Sequence, residues 1–276
     1  MKITPLETKQ NTAIIDFLLT PEEIKLARDL SVNELAKKAT IKGFRKGKAP
    51  QALVEKQLDP EAIKHETLHH LLNDLVPQAI KDQKLTLVSN PQLQKLDDPA
   101  DKPWTITISF PLLPVVTLGD YPQKIKAAFS KDKDKVAKLT QDQKIEMVCQ
   151  ILIDNITFDI PQVLIDQEVE KSLSRLLEQT QALGLTIEKY LTSIGKSAQQ
   201  IKKEYQETAL KSLRLEFILL EIAKVKKYTN SESEVADLIS SVGDNKTQEF
   251  FKKPEQRSYL ESILLKRKVI DELITI

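Results

Sequence analysis

The apolar positions change their period once along this chain. Up to about residue 120, short alternating runs are interleaved with helical stripes; beyond about residue 140 only helical spacing is found. Ala13-Ile14-Ile15-Asp16-Phe17-Leu18-Leu19 is short, apolar and β-favouring, and reads as a strand paired with residues 2–8. Thr20-Pro21-Glu22-Glu23 then predicts a helix start: Thr20 can cap, Pro21 suits the first helical position, and Glu23 completes a capping box. Ile24, Ala27, Ser31, Leu35 and Ala39 come next at spacings of three or four and form its inward stripe. Pro50 is expected to open a short helix ending at Leu58, and Asp59-Pro60 another. That second helix carries Ile63, Thr67, Leu71, Leu75 and Ala79 on one face, with Pro77 expected to kink or shorten it.

Three further strands are expected at 85–88, 93–96 and 104–110. In the last, Trp104, Ile106, Ile108 and Phe110 alternate with Thr105, Thr107 and Ser109, the mark of a strand with one face on helices. Pro111, Pro114, Gly119 and Pro122 then punctuate a domain exit. Past residue 140 come stripes at Ile145, Val148, Leu152 and Ile156, and at Ile165, Val169, Leu173, Leu176, Thr180 and Leu183, the latter stopped by Gly184. A long helix over 197–228 carries Ile201, Tyr205, Ala209, Leu213, Phe217 and Leu220. Its later part adds Leu215, Ile218, Leu219 and Ile222, so it is apolar on more than one side and should lie deepest. Ser231-x-x-Glu234 is another capping box, and a last helix starts near Pro254. The expected fold class is α+β: an N-terminal α+β domain over 1–120, a linker at 121–139, and an elongated, all-α multi-helix arm domain over 140–276.

Charge alters this picture at one place. The 276 residues carry 41 Lys+Arg against 40 Asp+Glu, so no global basic field exists and any nucleic-acid contact must be local. Within 37–48 (Lys-Lys-Ala-Thr-Ile-Lys-Gly-Phe-Arg-Lys-Gly-Lys) six residues are basic and none is acidic. Gly43 and Gly47, two of only six glycines, flank the tip Phe44-Arg45-Lys46 and predict the corners of a tight, exposed loop. An aromatic between cations suits a phosphate-bearing surface with an apolar contact beside it, such as folded RNA or a ribonucleoprotein. The same letters also read as a solvated basic turn. They do not make a phosphate-binding P-loop: the glycine spacing is one residue short, and Ala49 stands where a hydroxyl would hold Mg²⁺.

Gly43-Phe44-Arg45-Lys46-Gly47-Lys48-Ala49-Pro50 resembles the ribosome-docking signature of bacterial trigger factors, chaperones of the polypeptide exit tunnel. Ile160-Pro161-Gln162-Val163-Leu164-Ile165-Asp166-Gln167-Glu168-Val169 is similar to the start of that family's arm helix. The resemblance implies that Phe44, Arg45 and Lys46, helped by Lys42, Gly43, Gly47 and Lys48, contact an exit-tunnel ribosomal protein and adjacent rRNA. It implies nascent or unfolded polypeptides as clients, ATP-independent holding between two helical arms, and a homodimer as an allowed state off the ribosome. The family's usual prolyl isomerase domain has no room between the two halves here, so neither that activity nor its catalytic residues carry over. The resemblance calls for no cofactor.

The residues themselves raise other chemistry. His65-Glu66-x-x-His69 matches the zinc-hydrolase pattern on a helix, and all three histidines (His65, His69, His70) gather there. No Glu occurs between Glu66 and Glu146 to supply the usual third ligand, and the extended pattern is missing, so exposed helix-surface histidines are the plainer expectation. The single Cys149 sits on a helical stripe, fits a reducing compartment and reads as a core thiol rather than a nucleophile. With no apolar leader and no 18-residue apolar run, a soluble, cytoplasmic protein without membrane contact is expected. An RNA-binding assembly factor using the same loop without a client surface, and the zinc hydrolase, are the competing functions.

Overall fold

The computed structural model describes residues 2–38, 57–99, 102–131, 136–241 and 243–276. The chain divides into two compact units, one through Leu113 and one from Pro114 onward.

The first unit is a four-stranded antiparallel sheet with two helices. Strands β1 (Lys2–Lys9) and β2 (Thr12–Leu19) form a hairpin whose two turn residues, Gln10 and Asn11, both hold positive φ, as a twist-matched two-residue turn requires. With β3 (Gln92–Asp97) and β4 (Trp104–Pro111) the sheet order is β1-β2-β4-β3. Register places Ala13 opposite Phe110, Ile15 opposite Ile108 and Phe17 opposite Ile106, so the alternating apolar positions of β2 and β4 share one face. Phe17 and Phe110 lie 6.5 Å apart between ring centroids, and both are wholly buried. On the opposite face Thr107 Oγ1 donates to Asp16 Oδ1 at 2.6 Å and Gln94 Nε2 donates to Ser109 Oγ at 2.8 Å.

Helices α1 (Pro21–Lys38) and α2 (Pro60–Asp82) cover the apolar face. The capping box of α1 is formed: Thr20 N donates to Glu23 Oε2 at 2.9 Å and Glu23 N to Thr20 Oγ1 at 3.4 Å. The buried residues of α2 are Ile63, Thr67, Leu71, Leu75 and Ala79, the five of its expected stripe. Its helix runs on through Pro77 rather than ending there. Of the α1 stripe, Ile24, Ala27 and Ser31 are buried and Val32 joins them, while Ala39 lies outside the described residues. The two buried hydroxyls bond within their own helices, Ser31 Oγ to Ala27 O and Thr67 Oγ1 to Ile63 O, so neither leaves a polar group unpaired in the core.

The expected strand at 85–88 does not form. Only a single bridge, Leu87 to Leu112, is present, with Val88 N donating to Pro111 O and Leu113 N to Thr86 O. Its partner stretch contains Pro111 and Pro114, which have no N–H to extend a ladder. The expected short helix ending at Leu58 falls almost wholly outside the described residues.

The second unit is helical: α3 (Tyr121–Lys131), α4 (Gln141–Asn155), α5 (Gln162–Ala182), α6 (Ile187–Ser193), α7 (Ala198–Val225), α8 (Glu232–Ser241), α9 (Asn245–Phe251) and α10 (Pro254–Leu273). Helix α3 corrects the expectation of a linker over 121–139. Tyr121 and Ile125 are buried in the same core as Val148, Leu152, Ile218 and Ile222. Pro122, a chain breaker by sequence, occupies the first turn, where no intrahelical N–H bond is lost. Thr140/Gln143 and Ser197/Gln200 form reciprocal capping boxes that start α4 and α7. Gly184, at φ +70°, stops α5: Leu185 N reaches back to Thr180 O and Gly184 N to Gln181 O, the Schellman closure.

Helix α7 is shared by two cores. Its first half packs Tyr205, Ala209, Leu213 and Phe217 with Ile165 and Val169 of α5; its second half packs Ile218, Leu219, Ile222 and Ala223 with α3, α4 and α10. A third, smaller core joins α8 to α10 through Val235, Ile239 and Leu260.

The packing can be tested at two residues. Phe110→Ala removes a fully buried ring from the first unit and should cost about 3–5 kcal/mol, read in urea by the fluorescence of Trp104, the sole tryptophan, which packs against that core. A loss below about 1 kcal/mol would contradict the packing described. Glu234 is held down to about 2 from its usual 4.5 by Lys268 Nζ and by the backbone and hydroxyl of Ser231. A depressed carboxyl stabilises above its unfolded value and loses that contribution as pH falls through the folded one. Wild type should therefore melt above Glu234→Gln at neutral pH, and the gap should close between pH 4.5 and about 2; a gap that stays constant would reject the assignment.

Candidate functional site

Lys42, Gly43, Phe44, Arg45, Lys46, Gly47 and Lys48 lie outside the described residues. Their flanks are described. Helix α1 ends with Lys37 and Lys38 in its last turn, where cations favour the helix C-terminus. Helix α2 starts at Asp59, whose side chain accepts from Glu61 N at 3.1 Å. The basic segment thus connects two helices packed against one another in the first unit.

The histidine cluster is arranged differently from the zinc-hydrolase pattern. His65 and His69 are both exposed, and Asn73 Nδ2 lies 3.4 Å from His69 Nδ1. They share no cluster with a third ligand among the described residues. Glu66 and His70, four residues apart, instead turn toward Glu34 of α1, and ligand atoms of these three lie within 4.8 Å of one another. The expectation of exposed helix-surface histidines therefore describes His65 and His69 but is corrected at His70, which is half-buried with Glu66 against α1. Sequence spacing cannot show this grouping, because Glu34 comes from another helix and only packing brings it near.

Cys149 is half-buried, and burial pushes its thiol upward, away from the thiolate that a nucleophile needs. No helix among the described residues is long and apolar enough to cross a membrane.

Large apolar side chains stand in solvent around the end of α5 and on either side of α6. Leu177, Leu183, Leu185 and Ile194 are all exposed, Leu183 at 73%. Leu183, expected to continue the buried stripe of α5, is the helix C-cap, so it leaves the helical phase that buries Thr180. A second exposed apolar group is Phe250 on α9, which stacks edge-on against Phe251 and has Lys253 Nζ 5.7 Å from its ring centre. Periodicity does not distinguish an exposed apolar side chain from a buried one at a helix end, so neither group is legible in the sequence.

Two family models match the chain. The one described as bacterial trigger factor protein (TF) covers residues 1–148, and the one described as bacterial trigger factor protein (TF) C-terminus covers residues 119–275. The two overlap, so no prolyl isomerase domain stands between them. The trigger factor of Rippkaea orientalis is 30% identical over 175 residues, 56% of this chain and 38% of that protein. That of Streptococcus mutans is 30% identical over 144 residues, 52% of this chain and 33% of that protein. The matched stretches thus take in little more than a third of these relatives' length. A solved structure from work on promiscuous substrate recognition in the folding and assembly activities of the trigger factor chaperone superposes with a TM-score of 0.71, covering 100% of this chain and 99% of that one at 15% identity. Likeness at that identity speaks for the fold, and the two family matches, each over more than half of the residues, speak for descent: the chain belongs to the bacterial trigger factor family.

Proposed function

We propose that this protein is an ATP-independent chaperone that docks beside the ribosomal exit tunnel and holds nascent or unfolded polypeptides, with its work in the cytoplasm. The observation that carries the holding role is the set of exposed leucines and isoleucine at the end of α5 and on either side of α6, in a chain of the trigger factor family. Apolar side chains kept in water contribute only when something covers them. Scattered singly among charged residues, they offer many weak contacts without sequence preference, which lets a client bind and leave without fuel. The related structure's promiscuous substrate recognition has the same character.

Docking is assigned to the segment 42–48. Lys42, Arg45, Lys46 and Lys48 would neutralise rRNA phosphates and release counterions, while Phe44 fixes the position by an apolar contact with a ribosomal protein. Because the rest of the chain carries 37 Lys+Arg against 40 Asp+Glu and so no net positive charge, this segment would dominate the salt dependence. An assembly factor that binds ribosomal RNA but no clients is the alternative, and client holding separates the two.

Ribosome co-sedimentation of wild type against the triple variant Phe44→Ala/Arg45→Ala/Lys46→Ala tests the docking. Binding should vanish in the variant with its far-UV circular dichroism unchanged. If all four cations meet phosphates, raising salt from about 50 to about 200 mM should weaken wild-type binding by about two orders of magnitude. A triple variant that still pellets with ribosomes would sink the docking role. For holding, Leu183→Ser/Leu185→Ser/Ile194→Ser should weaken suppression of aggregation of an unfolded client by at least about tenfold, since each apolar side chain covered is worth about 1.5–3 kcal/mol when fully buried. Unchanged suppression would remove this surface from the client site, and no suppression by wild type would favour the assembly factor.

A further inference from the structure

We propose that Glu34, Glu66 and His70 form a binding site for one divalent transition-metal ion of the zinc type, bridging α1 and α2. The site is separate from the docking and holding functions and does not depend on them.

Three observations converge. First, the donors are close: one ligand atom from each residue lies within 4.8 Å of the other two. Second, the spacing of the best-placed pair has the wrong length for a hydrogen bond and the right one for a shared ion. His70 Nε2 and Glu34 Oε2 are 3.6 Å apart. Two donors on a tetrahedral zinc, each about 2.1 Å from the metal, sit roughly 3.5 Å from one another. Third, His70 Nε2 is sealed from solvent and has no hydrogen-bond partner. A buried ring nitrogen left unpaired is costly, and such an orphan calls for an explanation that includes an ion.

Electrostatics points the same way. Glu34 and Glu66 bring two carboxylates together, and no Lys or Arg ion pair to either is found among the described residues. A divalent cation would offset that repulsion and satisfy the ring nitrogen at once. One imidazole and two carboxylates are a donor set that zinc accepts, with water completing the shell. Glu66 and His70 are one helical turn apart on α2, so they approach the ion from the same face, and Glu34 closes from α1. His70 Nε2 is closed off, but the Glu34 carboxylate opposite it is partly exposed, which leaves an entry path from the side of α1. Binding would pin α1 to α2 one helical turn before Lys38, where the described part of α1 ends.

The test is calorimetric titration of the full chain, stripped with chelator, with zinc chloride, repeated with cobalt(II) to read coordination from its visible absorption. One ion per chain is expected, with affinity falling on acidification because imidazole must be neutral to bind. His70→Gln and Glu66→Gln should each weaken binding at least about tenfold, and the double variant His65→Gln/His69→Gln should leave it unchanged. Far-UV circular dichroism and Trp104 fluorescence report whether each variant folds; should His70→Gln not fold, Glu34→Gln, at a partly exposed position, carries the same expectation. Failure to bind one equivalent overturns the proposal. So does binding that survives His70→Gln, or that is lost in His65→Gln/His69→Gln.

Discussion

Helix α7 must hide two apolar stripes displaced along its length, and the helical unit is shaped by that requirement. At 28 residues it is about 42 Å long, too long for one neighbour of ordinary size to cover. Its second half is satisfied by α3, α4 and α10, which enclose Ile218 and Ile222 completely. Its first half is met chiefly by α5. With α7 as its principal partner, α5 buries one stripe and keeps the rest of its circumference in water. The exposed side chains at its end are thus a consequence of how α7 divides its partners: a helix packed on one side only has nowhere to put an apolar residue that leaves the stripe.

Ion pairs accompany this packing without causing it. Lys266 reaches Glu216 at 2.7 Å, Lys268 reaches Glu234 at 2.7 Å, and Lys226 pairs with Glu272, so α10 is tied to α7, to the residue after it and to α8 by ion pairs that stay open to water on the carboxylate side. Exposed pairs are worth little each, since Coulomb gain in water is small and side-chain entropy is lost. Their clearer effect is on the field around the molecule. With cations and anions nearly equal in number, the protein has little long-range attraction for polyanions, and a short unmatched basic segment can set both the place and the salt dependence of an encounter.

Much of the fold was legible because helix after helix announced itself by a cap, a stripe or both. Thr20/Glu23 and Ser231/Glu234 form the bonds their spacing implied, and the α2 stripe is buried residue for residue. The α+β first unit and the helical second unit reflect the same change of period. The parts that escaped have physical reasons. Helix α3 turns Tyr121, Ile125 and Phe129 toward the core at helical spacing, but this short stripe stands between the prolines before it and a Lys/Asp-rich run after it, and the sequence around it reads as a linker. The segment 85–88 has strand composition, but its partner stretch is interrupted by prolines without N–H groups. For the candidate sites, local sequence named the right neighbourhood and the wrong geometry: the histidine motif drew attention to α2, yet the residues brought together are Glu66 and His70, because they face α1.

The first helices of the second unit bear on how a family member can do without an intervening domain. A domain can be absent between two others when the chain at the junction belongs to no core of its own, since nothing packed is then disturbed. Here α3 already belongs to the helical core through Tyr121 and Ile125, and α4 enters it at Val148. Residues 136–139, between them, bury no side chain. The matched family regions overlap across this stretch, so it serves the end of one and the beginning of the other. Helix α3 is therefore fixed by its own buried pair rather than by its connection to α4, and the helical unit keeps its first wall whether that connection is short or long.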